Sequence, residues 1–229
     1  MIVTKLRLEL HDSLYYATRE MGRLYETEKV IHNWALTYAL GLVKKPYFCA
    51  SNVPTYQDDL EAVNETGVYV TPAKPVHYDY VINTFKFADN RHRSFSTVSN
   101  TIKRQLGITT VNKPTYGRAK ELAPESEFEF YILGQLPDRL PKWIRLGLWM
   151  SKARIEILDK KDLSIQCGDF QCSHLLNPLD LEDTPHLFDL ISMPPVSLLQ
   201  NVSLSGKYVE FKEDIYLPAS MAYFCGADN

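Results

Sequence analysis

The chain has 229 residues, 45% of them apolar and 23% charged, with a formal net charge of −3. This balance excludes long disorder and supplies a substantial core without cross-links. Four cysteines are too few for a disulfide framework, and no apolar run approaches the ~20 residues of a membrane helix.

The opening residues MIVTKLRLELHD lack the basic-then-apolar pattern of a secretory signal, so the expectation is a cytoplasmic protein with reduced thiols and no membrane partner. Ile2, Leu6, Leu8 and Leu10 fall on one face of a period-two pattern, with Val3, Lys5, Arg7 and Glu9 on the other. That is a half-buried strand. In residues 27–41, Val30, Ile31, Trp34 and Tyr38 recur at helical spacing, with Thr27 as N-cap and Gly41 as stop. Trp34 and Tyr38 are read as core residues of this helix. Residues 46–77 read as irregular, with a short strand around Val68 and Val70. Residues 78–87 (YDYVINTFKF) and 128–133 (FEFYIL) read as strands, 137–146 as a short helix with Trp143, Ile144 and Leu146 inward, and 152–158 as a fourth strand.

The element order β, α, β, β, α, β is that of an α+β, ferredoxin-like domain: a four-stranded antiparallel sheet with helices on one face and the other free for a ligand, as an RRM uses it for RNA. The expected organisation is a domain over residues 1–158, with an inserted excursion at about 88–126, then a β-rich, acidic C-terminal extension over 159–229 packed on the core. Within the extension, Cys167 and Cys172, with His174 two residues on, cluster but fall short of the four paired ligands of a zinc site, and the cysteines are read as buried thiols.

Charge is distributed unevenly. From Lys86 to Lys120 the chain carries eight basic residues against Asp89 alone, a net of +7, leaving −10 for the remainder. A basic segment on an acidic body is the footprint of one surface facing phosphate.

Three stretches, ATREMGRLYETEKVIHNWALTYALGL (17–42), KPTYGRAKELAPESEFEFYIL (113–133) and IRLGLWMSKARI (144–155), resemble the Csc-one proteins. These are the type I-D branch of the Cas-five family of CRISPR-associated RAMP proteins. The resemblance implies a ferredoxin-like RAMP domain whose inserted thumb meets guide RNA. It also implies a non-catalytic subunit capping the foot of a type I-D Cascade and gripping the crRNA 5′ handle. The implied partners are the first Cas-seven-type backbone subunit, the Cas-ten-type large subunit and target DNA near the PAM; no cofactor is implied.

Handle binding needs cations for phosphates, planar groups to stack on bases, and close backbone approach. Arg91, His92 and Arg93, then Lys103 and Arg104, place cations along the excursion. Tyr116 offers a stacking ring, Gly117 a close approach, and Arg118 and Lys120 further cations. Arg145, Gly147 and Lys152 flank the turn into the fourth strand, where RAMP relatives place a glycine-containing loop against RNA. Arg19 and Arg23 follow the first strand, where the alternative to RNA contact is an ion pair with Glu26 or Glu28.

Two competing readings follow. A type I-C relative is a metal-independent endoribonuclease, and His92 with Tyr116 and Lys120 offers a base and cations for such cleavage. The resemblance, however, implies a system with a dedicated Cas-six processing nuclease. A purely structural adaptor is the other alternative. No phosphate-cradling P-loop, dinucleotide fingerprint or serine-nucleophile elbow occurs.

Overall fold

The computed structural model describes residues 1–44, 55–87, 105, 115–137 and 139–226. The first elements are β1 (Ile2–Leu10), β2 (Arg19–Met21), β3 (Leu24–Glu26), α1 (Asn33–Ala39), α2 (Tyr56–Asn64), β4 (Tyr69–Val70), β5 (Lys74–His77) and β6 (Tyr80–Phe87). Then follow β7 (Thr115–Leu122), β8 (Glu127–Leu133), β9 (Trp143–Leu146), β10 (Ser151–Asp162), β11 (Gln166–Cys172), β12 (Leu187–Ile191), β13 (Leu198–Lys212) and β14 (Ile215–Pro218).

The apolar alternation in β1 places it at the centre of a six-stranded antiparallel sheet in the order β4-β8-β1-β10-β9, with β5 also on β8. Leu6, Leu8 and Leu10 join Phe128, Phe130 and Ile155 beneath Leu36 and Leu40 of the α1 region. Val3, Tyr131 and Leu133, on the opposite face, pack instead against Phe170, Val202 and Phe211 of the C-terminal sheet β11-β13-β12/β14. Tyr131 meets Phe211 edge-on at 5.3 Å.

The second face is therefore not open, as the sequence reading expected. Its inner end lies under the C-terminal sheet. The remainder is an ion-pair ladder in which Lys5 meets Glu129 at 2.7 Å and Arg7 meets Glu156 at 2.6 Å and Glu127 at 3.3 Å. With three carboxylates to two cations, this ladder offers phosphate no net positive charge.

Other expectations shift for local reasons. The helix expected from Thr27 begins at Asn33, capped by His32, whose Nδ1 accepts from the Trp34 amide at 3.2 Å. Thr27 instead fastens residue 16, donating to the Tyr16 carbonyl at 2.9 Å and accepting from its amide at 3.0 Å. Residues 137–146 contain a strand rather than a helix: Ile144 and Leu146 are buried and Trp143 and Arg145 exposed, a period of two that pairs with β10. Part of 46–77 is helical, because Leu60 and Val63 of α2 reach the core. The strand at 80–87 is not part of the main sheet; the position beside β8 belongs to β4 and β5. β10 continues to Asp162, past the boundary expected at 158.

A buried polar knot ties the C-terminal region to the helices. Asp180 Oδ2 accepts from Asn33 Nδ2 at 2.7 Å and from the Tyr69 hydroxyl at 3.0 Å, while Oδ1 accepts from the Phe224 amide at 3.0 Å. Burial pushes this carboxyl up to about 6, against the opposing pull of its donors. Cys172 is buried and Cys167 exposed, so the expectation of buried thiols holds for one and fails for the other. His174 is buried, its Nε2 at 2.9 Å from both Thr71 Oγ1 and the Pro72 carbonyl.

Candidate nucleic-acid interface

A third sheet, in the order β2-β3-β7-β6, stands apart from the main one. Its core is the β6–β7 ribbon, paired from Tyr80↔Leu122 to Phe87↔Thr115, and β3 adds in parallel with Leu24 opposite Arg118 and Glu26 opposite Lys120. Of the expected excursion, residues 88–104 and 106–114 lie outside the described residues, and with them Arg91, His92, Arg93, Lys103 and Arg104.

Directly paired residues share a face of a sheet. The register therefore sets Lys86 beside Tyr116, Thr84 beside Arg118 and Ile82 beside Lys120, all on one side. Tyr116 and Arg118 are exposed, and so is Lys86. The intervening Gly117, Ala119 and Glu121 turn inward and are buried. Gly117 thus faces away from Tyr116 and Arg118, not toward the surface expected of it from the sequence. Below it, Glu121 Oε2 accepts from Asn83 Nδ2 at 2.8 Å, and burial holds its carboxyl above the usual range.

The cations of this face differ in what they already touch. Glu26 Oε1 lies 3.5 Å from Lys120 Nζ, and Glu26 Oε2 lies 3.6 Å from Arg19. Lys120 also sits over the Tyr80 ring at 4.2 Å. Arg19 thus makes the ion pair that was the alternative to RNA contact. Arg23 follows the turn at Gly22 (φ +63°), and its carbonyl accepts from the Arg118 amide at 2.8 Å. Arg23, Lys86 and Arg118 make no ion pair among the described residues, and of these Lys86 and Arg118 lie on the same side as the Tyr116 ring. Lys86 counts toward the basic segment in the sequence, but nothing local marks it; only the register reveals that it faces the same way as Tyr116.

Arg145, Gly147 and Lys152 lie elsewhere, on the β9–β10 hairpin at the edge of the main sheet. Arg145 donates to the Met150 carbonyl at 3.1 Å and lies 3.9 Å from Asp12. Lys152 rests over the Trp143 ring at 4.1 Å. Gly147 has φ +75°, and a Cβ there would lie 2.6 Å from the Tyr15 carbonyl oxygen. Its conformation serves the docking of the turn on residue 15.

Among known proteins, a family model described as "Type I-D CRISPR-associated protein Cas5/Csc1" matches residues 1–226. Two solved structures are similar at low identity. One is a chain of the cryo-EM structure of the Type III-B Cmr-beta bound to cognate target RNA and AMPPnP, at 12% identity and TM-score 0.40, covering 90% of this chain and 85% of that one. The other is a CRISPR protein from Archaeoglobus fulgidus, at 13% identity and TM-score 0.40, covering 94% of this chain and 98% of that one. No curated protein matches the sequence. The family match spans the main sheet, the ribbon and the C-terminal sheet together, and the chain belongs to the type I-D CRISPR-associated Cas5/Csc1 family.

Proposed function

We propose that this chain is a non-catalytic, cytoplasmic subunit that grips the crRNA 5′ handle at the foot of a type I-D Cascade. In this reading the main sheet with α1 is a ferredoxin-like RAMP core, and the β6–β7 ribbon is the stem of an inserted thumb. The subunit sits between the first Cas-seven-type backbone subunit and the Cas-ten-type large subunit, near the PAM end of target DNA. The observation that carries the reading is the side-by-side placement of Lys86, Tyr116 and Arg118 on the outward face of the ribbon. Cations for phosphate beside a ring for a base are what single-stranded RNA recognition requires.

The test is binding of a type I-D handle RNA and a scrambled RNA over a salt series. A handle binder prefers the handle and loses affinity steeply as salt rises, by about 0.7 log units per log unit of salt for each phosphate contact on a single strand. Equal, salt-independent binding of both RNAs would instead identify an adaptor. In the same material a full repeat RNA is expected to remain intact in EDTA and in Mg²⁺. Cutting at the handle boundary that vanishes in His92→Ala would establish the endoribonuclease instead.

A further inference from the structure

The outer face of the main sheet changes character at its β9 end. The pairings Trp143↔Arg154 and Arg145↔Lys152 put these four side chains on the face opposite Leu6, Leu8 and Leu10, in line with the ion-pair ladder. The Trp143 side chain is large and aromatic, yet 45% of the residue stays in solvent. Lys152 Nζ lies over its ring at 4.1 Å, and the His11 ring meets it at 71° with centroids 4.8 Å apart.

Cations outnumber acids around this ring. Arg154 and Lys142, the residue before Trp143, are exposed and make no ion pair among the described residues. A ring contact holds the Lys152 ammonium in place without neutralising it. Glu9, cross-strand from Arg154, lies 3.8 Å from His11, and Asp12 lies 3.9 Å from Arg145. Glu156, the next outward residue of β10, is taken by Arg7 at 2.6 Å. Four cations, Lys142, Arg145, Lys152 and Arg154, thus face two carboxylates, and the face that is negative along the ladder turns positive here.

We propose that Trp143, Lys152 and Arg154 form a second subsite, one for single-stranded nucleic acid. An unpaired base stacks on the indole, and its flanking phosphates meet the two cations. The buried centre of a protein interface gathers apolar side chains and is depleted in lysine. This ring is bordered instead by a lysine, an arginine and a histidine. A stacking surface set among phosphate-binding cations is how single strands are held without sequence readout. The same chemistry would serve an RNA or an unpaired DNA strand. The inference does not rest on the handle reading, because Trp143 belongs to the main sheet and Tyr116 to the third.

The experiment measures binding of an unstructured pyrimidine oligonucleotide, made once as RNA and once as DNA, to the full chain across a salt series. The chain carries Lys86→Ala and Arg118→Ala, which removes the ribbon cations. Residual binding of at least one form is expected, and a preference for either supports the subsite and names the strand it takes. Adding Trp143→Ala is expected to weaken that binding about tenfold, and Arg154→Ala to weaken it about fivefold while lowering the salt slope by about 0.7. Trp143→Phe keeps a stacking ring and is expected to retain binding to within about threefold. An equal loss in Trp143→Ala and Trp143→Phe would show that the indole only holds the edge of the sheet together, and would overturn the proposal. So would unchanged binding in both Trp143→Ala and Arg154→Ala, or no residual binding of either oligonucleotide. Ribbon substitutions that leave handle binding intact would count against the handle reading alone.

Discussion

Lys86→Ala combined with Arg118→Ala is expected to weaken binding of the crRNA handle by about a hundredfold, roughly tenfold for each charge-assisted hydrogen bond to phosphate that is removed. Both side chains lie on the outward face of the ribbon and neither has an acidic partner among the described residues. Their charge is available to phosphate. The salt slope should fall by about 1.4, from roughly 0.7 per single-strand phosphate. Lys120→Ala is expected to cost less than about threefold, because its ammonium already shares Glu26 with Arg19. Quantitative RNA binding across a salt series separates the two results. If Lys120→Ala proved as damaging as the pair, the RNA would have to displace the Glu26 ion pairs, and the outward face would be wrongly drawn.

The second large effect is on stability against pH. His32 and His174 are buried, and burial lowers each imidazole from its ordinary value to about 3. A base whose folded value is depressed stabilises the fold above its unfolded value, near 6.5, and loses that contribution as pH falls toward 3. Asp180 acts in the opposite sense. Its folded value is raised to about 6, so the fold gains stability as pH falls from 6 toward the ordinary carboxyl range.

Between pH 7 and pH 5 the two histidines together remove roughly 4 kcal/mol and Asp180 restores about 1 kcal/mol. The histidines win, and the unfolding free energy should fall by about 2–3 kcal/mol. Urea denaturation at the two pH values measures this directly. His174→Gln should remove about half of the histidine contribution to the pH dependence, whatever it does to absolute stability. A slope unchanged by His174→Gln would mean that the imidazole is not held neutral by its burial among Tyr131, Thr71 and Pro72.

Where the sequence is clear and where it is not follows from how local the signal is. The strands at 2–10 and 128–133 are legible because each alternates within itself, a pattern set by the backbone pleat. The segment 143–146 misleads because three of its four residues are apolar, which fits a helical side as well as a strand. Pairing of Ala153↔Ile144 and Lys152↔Arg145 settles it as a strand, and no local pattern contains that partner. Likewise the aromatic run at 80–87 announces a strand but not its mate. Its ladder with 115–122 spans the whole excursion.

The candidate site divides in the same way. Composition alone determined that positive charge is concentrated between Lys86 and Lys120 on an otherwise acidic chain, and the quoted stretches carried the family. Tertiary structure alone decided which charges are free, because an ion pair such as Lys120 with Glu26 joins residues ninety-four positions apart in the numbering. It also covered one end of the main sheet face with the C-terminal sheet, through Val3, Tyr131 and Phe211. Electrostatic compensation and burial depend on distance in space, and the sequence specifies that distance only once the chain has folded.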